Sequence, residues 1–94
     1  MISAQRREQI ETVLRRKLGP FGYASCTMED RPDSGGDPAI FIVASFDDPT
    51  KLPPSHATTD ATVALADALL AEGDERFPYL DYVYPDVPSE DEAA

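Results

Sequence analysis

Cysteine and histidine are almost absent from this 94-residue chain, with Cys26 and His56 the sole representatives, and asparagine is missing altogether. One cysteine excludes an internal disulfide and leaves nothing to mark an oxidising compartment. Together the two residues make only two soft ligands where a zinc or iron site takes three or four, which argues against a metal site built by one chain. Nucleophilic catalysis would have to pair His56 with Cys26 or a serine. Cys26 falls on the inward face of a strand, whereas such chemistry needs an exposed thiolate. The lack of asparagine, with six arginines against two lysines, is the mark of a GC-rich coding bias.

Long apolar runs are lacking too. No 18-residue apolar stretch occurs, and no basic segment leads into an apolar one, so neither a membrane span nor a secretory signal is expected and the cytoplasm is the expected location. Positive charge is scarce: eight Lys and Arg stand against eighteen Asp and Glu, a formal net charge of −10. That balance disfavours phosphate backbones and anionic lipid as ligands, so nucleic acid and membrane are not the expected partners and a basic protein is. The charge is uneven. Residues 1–18 carry five basic and two acidic groups, a net of +3, and residues 19–94 carry three basic and sixteen acidic, a net of −13.

What is present fits one small domain. A chain of this length hides roughly 60 to 65% of its unfolded surface, enough for a single modest core. A hydrophobic content of 41% and a charged content of 28% are ordinary for a globular protein in spite of nine prolines. Ile10, Val13, Leu14 and Leu18 recur at helical spacing from about Ser3 to Leu18, with Ser3 placed to cap the start and Gly19-Pro20 to end the helix. Residues 23–29 alternate, which puts Ala24, Cys26 and Met28 on one face of a strand and Tyr23, Ser25, Thr27 and Glu29 on the other. Asp30 to Pro38 is a polar, Gly- and Pro-rich hairpin connection.

Strand 2, Ala39 to Phe46, is apolar on both faces and is therefore expected at the centre of the sheet. His56 to Glu72 is an Ala- and Leu-rich helix closed by Gly73. Arg76 to Tyr84 is an aromatic, β-branched third strand, with Pro78 marking an edge or a strand start. Residues 1–84 thus read as a single α+β domain, a two-layer sandwich in α-β-β-α-β order with a three-stranded mixed sheet covered by two helices. Residues 85–94 (PDVPSEDEAA) read as an acidic, disordered tail.

Candidate chemistry is thin, and no cofactor is expected. Glu29/Asp30 and Asp47/Asp48 sit at strand ends, but solvated acids belong there and so short a chain has little room for the concave pocket that acid–base chemistry requires. No enzymatic activity is expected. GPFG at residues 19–22 formally matches the loop of KH domains, which gives an alternative: a KH- or BolA-like nucleic-acid-binding or regulatory domain acting through helix 1. Arg7, Arg15 and Arg16 point in different directions around that helix and are interrupted by Glu8 and Glu11, so pairing with the acidic body is the expected role for them, whereas Arg6 and Lys17 fall close to the apolar stripe and are expected to snorkel at its ends or contact a partner. The densest unusual feature is Phe77, Tyr79, Asp81, Tyr82 and Tyr84, because a small sheet cannot bury both faces of strand 3; these five are the candidate protein-binding residues. The apolar edge also leaves self-pairing into a homo-oligomer open.

GDPAIFIVASFD (residues 36–47), a Leu-rich second helix, and DERFPYL (residues 74–80) ahead of an acidic tail together resemble a set of short acidic bacterial proteins. Those proteins are companions of small HEPN-domain proteins encoded beside them, similar to toxin–antitoxin pairs in which the HEPN member is a ribonuclease. The resemblance implies an antitoxin-like chain that binds and neutralises a basic HEPN-type partner. It carries over no functional residue.

Overall fold

The elements run α1 (Ala4–Leu18), β1 (Tyr23–Asp30), β2 (Ala39–Phe46), α2 (Ser55–Ala71) and β3 (Phe77–Val83). The computed structural model describes residues 2–85, so the expected acidic tail lies, from Asp86 on, outside the described residues. Helix α1 starts because Ser3, in extended backbone, accepts a hydrogen bond at Oγ from the Arg6 N–H (3.0 Å) and so satisfies one of the donors that the first turn leaves without a partner. Its stripe of Ile10, Val13, Leu14 and Leu18 is buried.

The α-helix ends at Leu18 with Gly19 as its C-cap, as the sequence reading has it, but the chain does not leave the helix axis there. Gly19–Phe21 adds a 3-10 turn, with Pro20 tolerated because first-turn N–H groups need no partner, and the left-handed residue is Gly22 (φ 83°). A Cβ on Gly22 would come within 2.9 Å of the Asp48 Cβ. Glycine is required there by both the conformation and the close approach of the chain leaving β2. GPFG therefore ends a helix and docks it onto the end of a strand, with the Asp47 N–H donating to the Gly22 carbonyl (3.1 Å).

β2 lies between β1 and β3, antiparallel to the first and parallel to the second. Its Ile40, Ile42, Ala44 and Phe46 join Leu14 and Leu18 of α1 and Leu65 and Leu69 of α2 in one buried cluster. Each fully buried Leu or Ile contributes about 1.5–3 kcal/mol. Helix α1 packs on the β1 side, α2 on the β3 side, and the helices meet, with the Gln9 side chain donating to the Ala68 carbonyl (3.1 Å). The outcome is the expected two-layer α+β sandwich.

β3 is an edge strand, and Pro78 is placed where an edge can hold it. The Phe77 N–H donates to the Pro38 carbonyl (3.1 Å), and alternate residues direct their N–H groups to opposite sides, so the donor that Pro78 lacks belongs to the side away from β2. One facing in β1 departs from the simple alternation. The register shifts between Tyr23 and Ser25, a one-residue bulge, so Tyr23 lies opposite Phe46 and packs edge-on to its ring (6.2 Å) on the helix side, while Ala24 is exposed.

Candidate functional site

Both helices sit on one side of the sheet, and no described element covers the other. Alternation along each strand decides what that open face carries: Ser25, Thr27 and Glu29 from β1, Phe41, Val43 and Ser45 from β2, and Phe77, Tyr79, Asp81 and Val83 from β3. Phe77 is 48% exposed and Val83 is 53% exposed. The parallel register sets Phe41 opposite Tyr79 and Val43 opposite Asp81, so an aromatic pair and an apolar–acidic pair lie side by side.

The rings pack on one another. Phe41 and Tyr79 stack with centroids 5.0 Å apart and planes 12° from parallel, and Phe77 meets Tyr79 edge-on at 4.9 Å. Arg31, one residue past β1, lays its guanidinium 3.6 Å from the centre of the Phe41 ring and pairs with Glu29 (2.9 Å). Between these groups lies a hollow of about 310 Å³, lined by Arg31, Phe41, Val43, Tyr79 and Asp81.

The hairpin loop closes one side of the aromatic cluster. Asp33 accepts at Oδ1 from the N–H groups of Gly35 (2.9 Å) and Asp37 (3.0 Å), and at Oδ2 from the Tyr79 hydroxyl (2.8 Å). The Tyr79 hydroxyl first, and the loop N–H groups after it, hold the Asp33 carboxyl below its ordinary range. The same carboxylate pushes the Tyr79 hydroxyl above its ordinary value.

The five residues singled out in strand 3 do not share a surface. Phe77, Tyr79 and Asp81 are on the open face. Tyr82 points to the helix side, tilts against Phe46 at 6.2 Å and donates to the Thr58 carbonyl (3.4 Å), and Tyr84, just past the strand, lies 5.3 Å from Phe46 and stacks on Tyr82. The sequence reading missed Phe41, Val43 and Arg31 as neighbours of Tyr79, and Val83 as part of the same face. The double-sided apolar pattern of β2 was the signal for the first two.

The other candidates are dispersed. Cys26 is half-buried on the helix side, and burial pushes its thiol up, away from the thiolate. His56 is exposed in the first turn of α2, and among the described residues no three His, Cys, Asp or Glu side chains are gathered for a metal ion. The acid pairs Glu29/Asp30 and Asp47/Asp48 lie at opposite ends of the sheet, because Asp30 pairs with Ile40 while the chain leaves β2 at Phe46. Six residues of strand, about 20 Å, separate them, too far for one reaction centre.

Arg7, Arg15 and Arg16 do not pair with the acidic body as expected, whereas Arg6, expected to lie along the apolar stripe, does meet an acid. Arg6 lies 3.0 Å from Asp74 through Nε, a coulombic contact whose N–H points off the line to the carboxylate. Arg7, Arg15, Arg16 and Lys17 are exposed and form no ion pair among the described residues. Comparison with protein families, with curated proteins and with solved structures finds no match to this chain.

Proposed function

We propose that this chain is a non-enzymatic protein-binding module, antitoxin-like, which docks a basic HEPN-type ribonuclease on the open face of its sheet and neutralises it. The observation that carries the reading is the open apolar face, where exposed Phe77, Tyr79 and Val83 lie beside half-buried Phe41 and Val43, within an acidic chain. Small monomeric proteins rarely leave contiguous apolar surface open without an occupant, and aromatic anchors inside a charged rim are the usual make-up of an interface centre. A net charge of −10 speeds encounter with a basic RNA-binding surface and disfavours acidic competitors.

Co-expression with the product of the adjacent gene, with tag pull-down and a growth assay, tests the reading. A stable complex that restores growth, lost when Phe77 and Tyr79 are both replaced by serine while the fold persists, is the expected outcome. No complex and no effect on growth would overturn it.

The exposed Arg7, Arg15, Arg16 and Lys17, which form no ion pair among the described residues, favour a second reading, nucleic-acid binding along α1. It requires salt-sensitive RNA or DNA binding that weakens on replacing Arg15 and Arg16, and filter binding at two salt concentrations decides it.

A further inference from the structure

Resting on the reading of the open face as a docking surface, we propose that the hollow between β2 and β3 is a subsite for one arginine side chain of the basic partner. The guanidinium would lie among Phe41, Tyr79 and Asp81. At about 310 Å³ the hollow is at the bottom of the range of ligand pockets, roughly 300–1,000 Å³, and has room for one side chain. That space remains with Arg31 in place, since Arg31 is one of its walls.

The lining chooses the occupant. Val43 and the rings of Phe41 and Tyr79 offer carbon, with Tyr79 and Arg31 already on the two faces of Phe41, and Asp81 offers a carboxylate, of which Oδ1 accepts from the Tyr82 N–H (2.9 Å) and Oδ2 has no partner among the described residues. Asp33 and Asp37 lie beyond the Tyr79 hydroxyl and add negative potential. Arg31, already paired with Glu29, is the one cation on the rim among the described residues. Apolar and aromatic carbon beside a carboxylate oxygen favours a planar, weakly hydrated cation that can lay its flat face on carbon while it donates, and a guanidinium is planar and less hydrated than an ammonium. The chain shows the same mode internally, with Arg31 stacked on Phe41 at 3.6 Å while it pairs with a carboxylate.

The test is an NMR titration of the isotope-labelled full chain with a short peptide of alternating Arg and Gly, and with its Lys counterpart as control. The expected result is amide shifts confined to the neighbourhood of Phe41, Val43, Tyr79 and Asp81, with the arginine peptide bound about fivefold more tightly. Asp81→Asn and Phe41→Leu should each weaken the arginine peptide by a similar factor and leave the lysine peptide unchanged, and the same spectra report whether each variant is folded. Equal binding of the two peptides, with shifts spread over the acidic surface, would overturn the subsite. So would shifts of the same amides with rising protein concentration alone, which would put a second copy in the hollow.

The peptides need no partner protein, so the two readings fail separately. A complex indifferent to Asp81→Asn removes the subsite and leaves the docking face, whereas capture of the arginine peptide at the hollow with no complex formed upholds the subsite and removes the proposed ribonuclease partner.

Discussion

The two faces of this sheet are made from alternate residues of the same three strands, and they differ less in composition than in what lies over them. On the covered side Ile40, Ile42, Ala44 and Phe46 of β2 are buried beneath both helices. On the open side Phe41 and Val43 have nearly the same apolar character but no helix over them, only their strand neighbours and, on Phe41, the Arg31 guanidinium. A core needs one apolar face in a two-layer fold, so the second face of β2 is apolar in excess of what folding explains. Its rings are shielded in part by stacking on one another and by the Asp33 loop. Stacking and the loop together reduce the apolar area that the open face leaves to water.

Adjacent residues of β2 offer the most direct way to break this comparison. Ile42 is 1% exposed beneath the helices, and Ile42→Ala should cost about 2–5 kcal/mol through lost burial and the cavity left behind. Val43, its neighbour on the open face, loses only partial burial and some strand preference, so Val43→Ala should cost about 1 kcal/mol or less. Urea denaturation of both variants measures the gap. Equal costs would mean that the open face supports the fold as much as the covered one does.

A smaller effect is expected where the two edge strands are tied together at one end of the sheet. Arg76 donates to both oxygens of Asp74 from Nε and Nη2 and to Asp30 at the end of β1 from Nη1 (2.9 Å), while Arg6 of α1 approaches Asp74 from the other layer. The Arg76 hydrogen bonds, reinforced by the two positive charges, pull the Asp74 carboxyl down to about 2 against the opposing effect of burial. A carboxyl depressed in the folded state adds stability that is complete above its unfolded value near 3.9 and is lost as pH falls toward 2. Discounted for the solvent that reaches the arginines, the contribution is about 1–2 kcal/mol. Asp74→Asn should remove it at neutral pH and flatten the stability profile between pH 4 and 2, as followed by urea melts at stepped pH.

The elements, their order and the central place of β2 were legible because each rests on local periodicity: Ile10, Val13, Leu14 and Leu18 at helical spacing, and AIFIVASF apolar on both faces. The inward turn of Tyr23 was not, since a single inserted residue without glycine or proline leaves no mark on the sequence. The Arg6–Asp74–Arg76–Asp30 group was equally hidden, because ion pairs between distant residues have no period. In strand 3 the alternation that separates Phe77, Tyr79 and Asp81 from Tyr82 was present in the sequence. Which side the helices would cover was not, because both sides are aromatic. The cation over Phe41 depends on where the hairpin loop carries Arg31, a matter of tertiary geometry.

Two tyrosines three residues apart in chain order give the finest test of how separate the faces are. Tyr79 and Tyr82 both hold their hydroxyl protons above the ordinary value near 10, for different reasons: Tyr79 because it donates to the Asp33 carboxylate, Tyr82 because it is buried against the helix side. Asp33→Asn keeps a side-chain oxygen for the Gly35 and Asp37 N–H groups and removes the negative charge beside the Tyr79 hydroxyl. Tyr79 should then titrate lower, toward 10, and Tyr82 should not move, as read from ring-carbon NMR signals during an alkaline titration. A hydroxyl raised in the folded state adds stability present below its unfolded value and lost as pH rises through the folded one, so the stability gap between wild type and Asp33→Asn should narrow above about pH 10. A joint shift of both tyrosines would show that the hairpin loop is felt through the sheet. Movement of Tyr79 alone would mean that the open face carries electrostatics of its own, which a partner can change without disturbing the core.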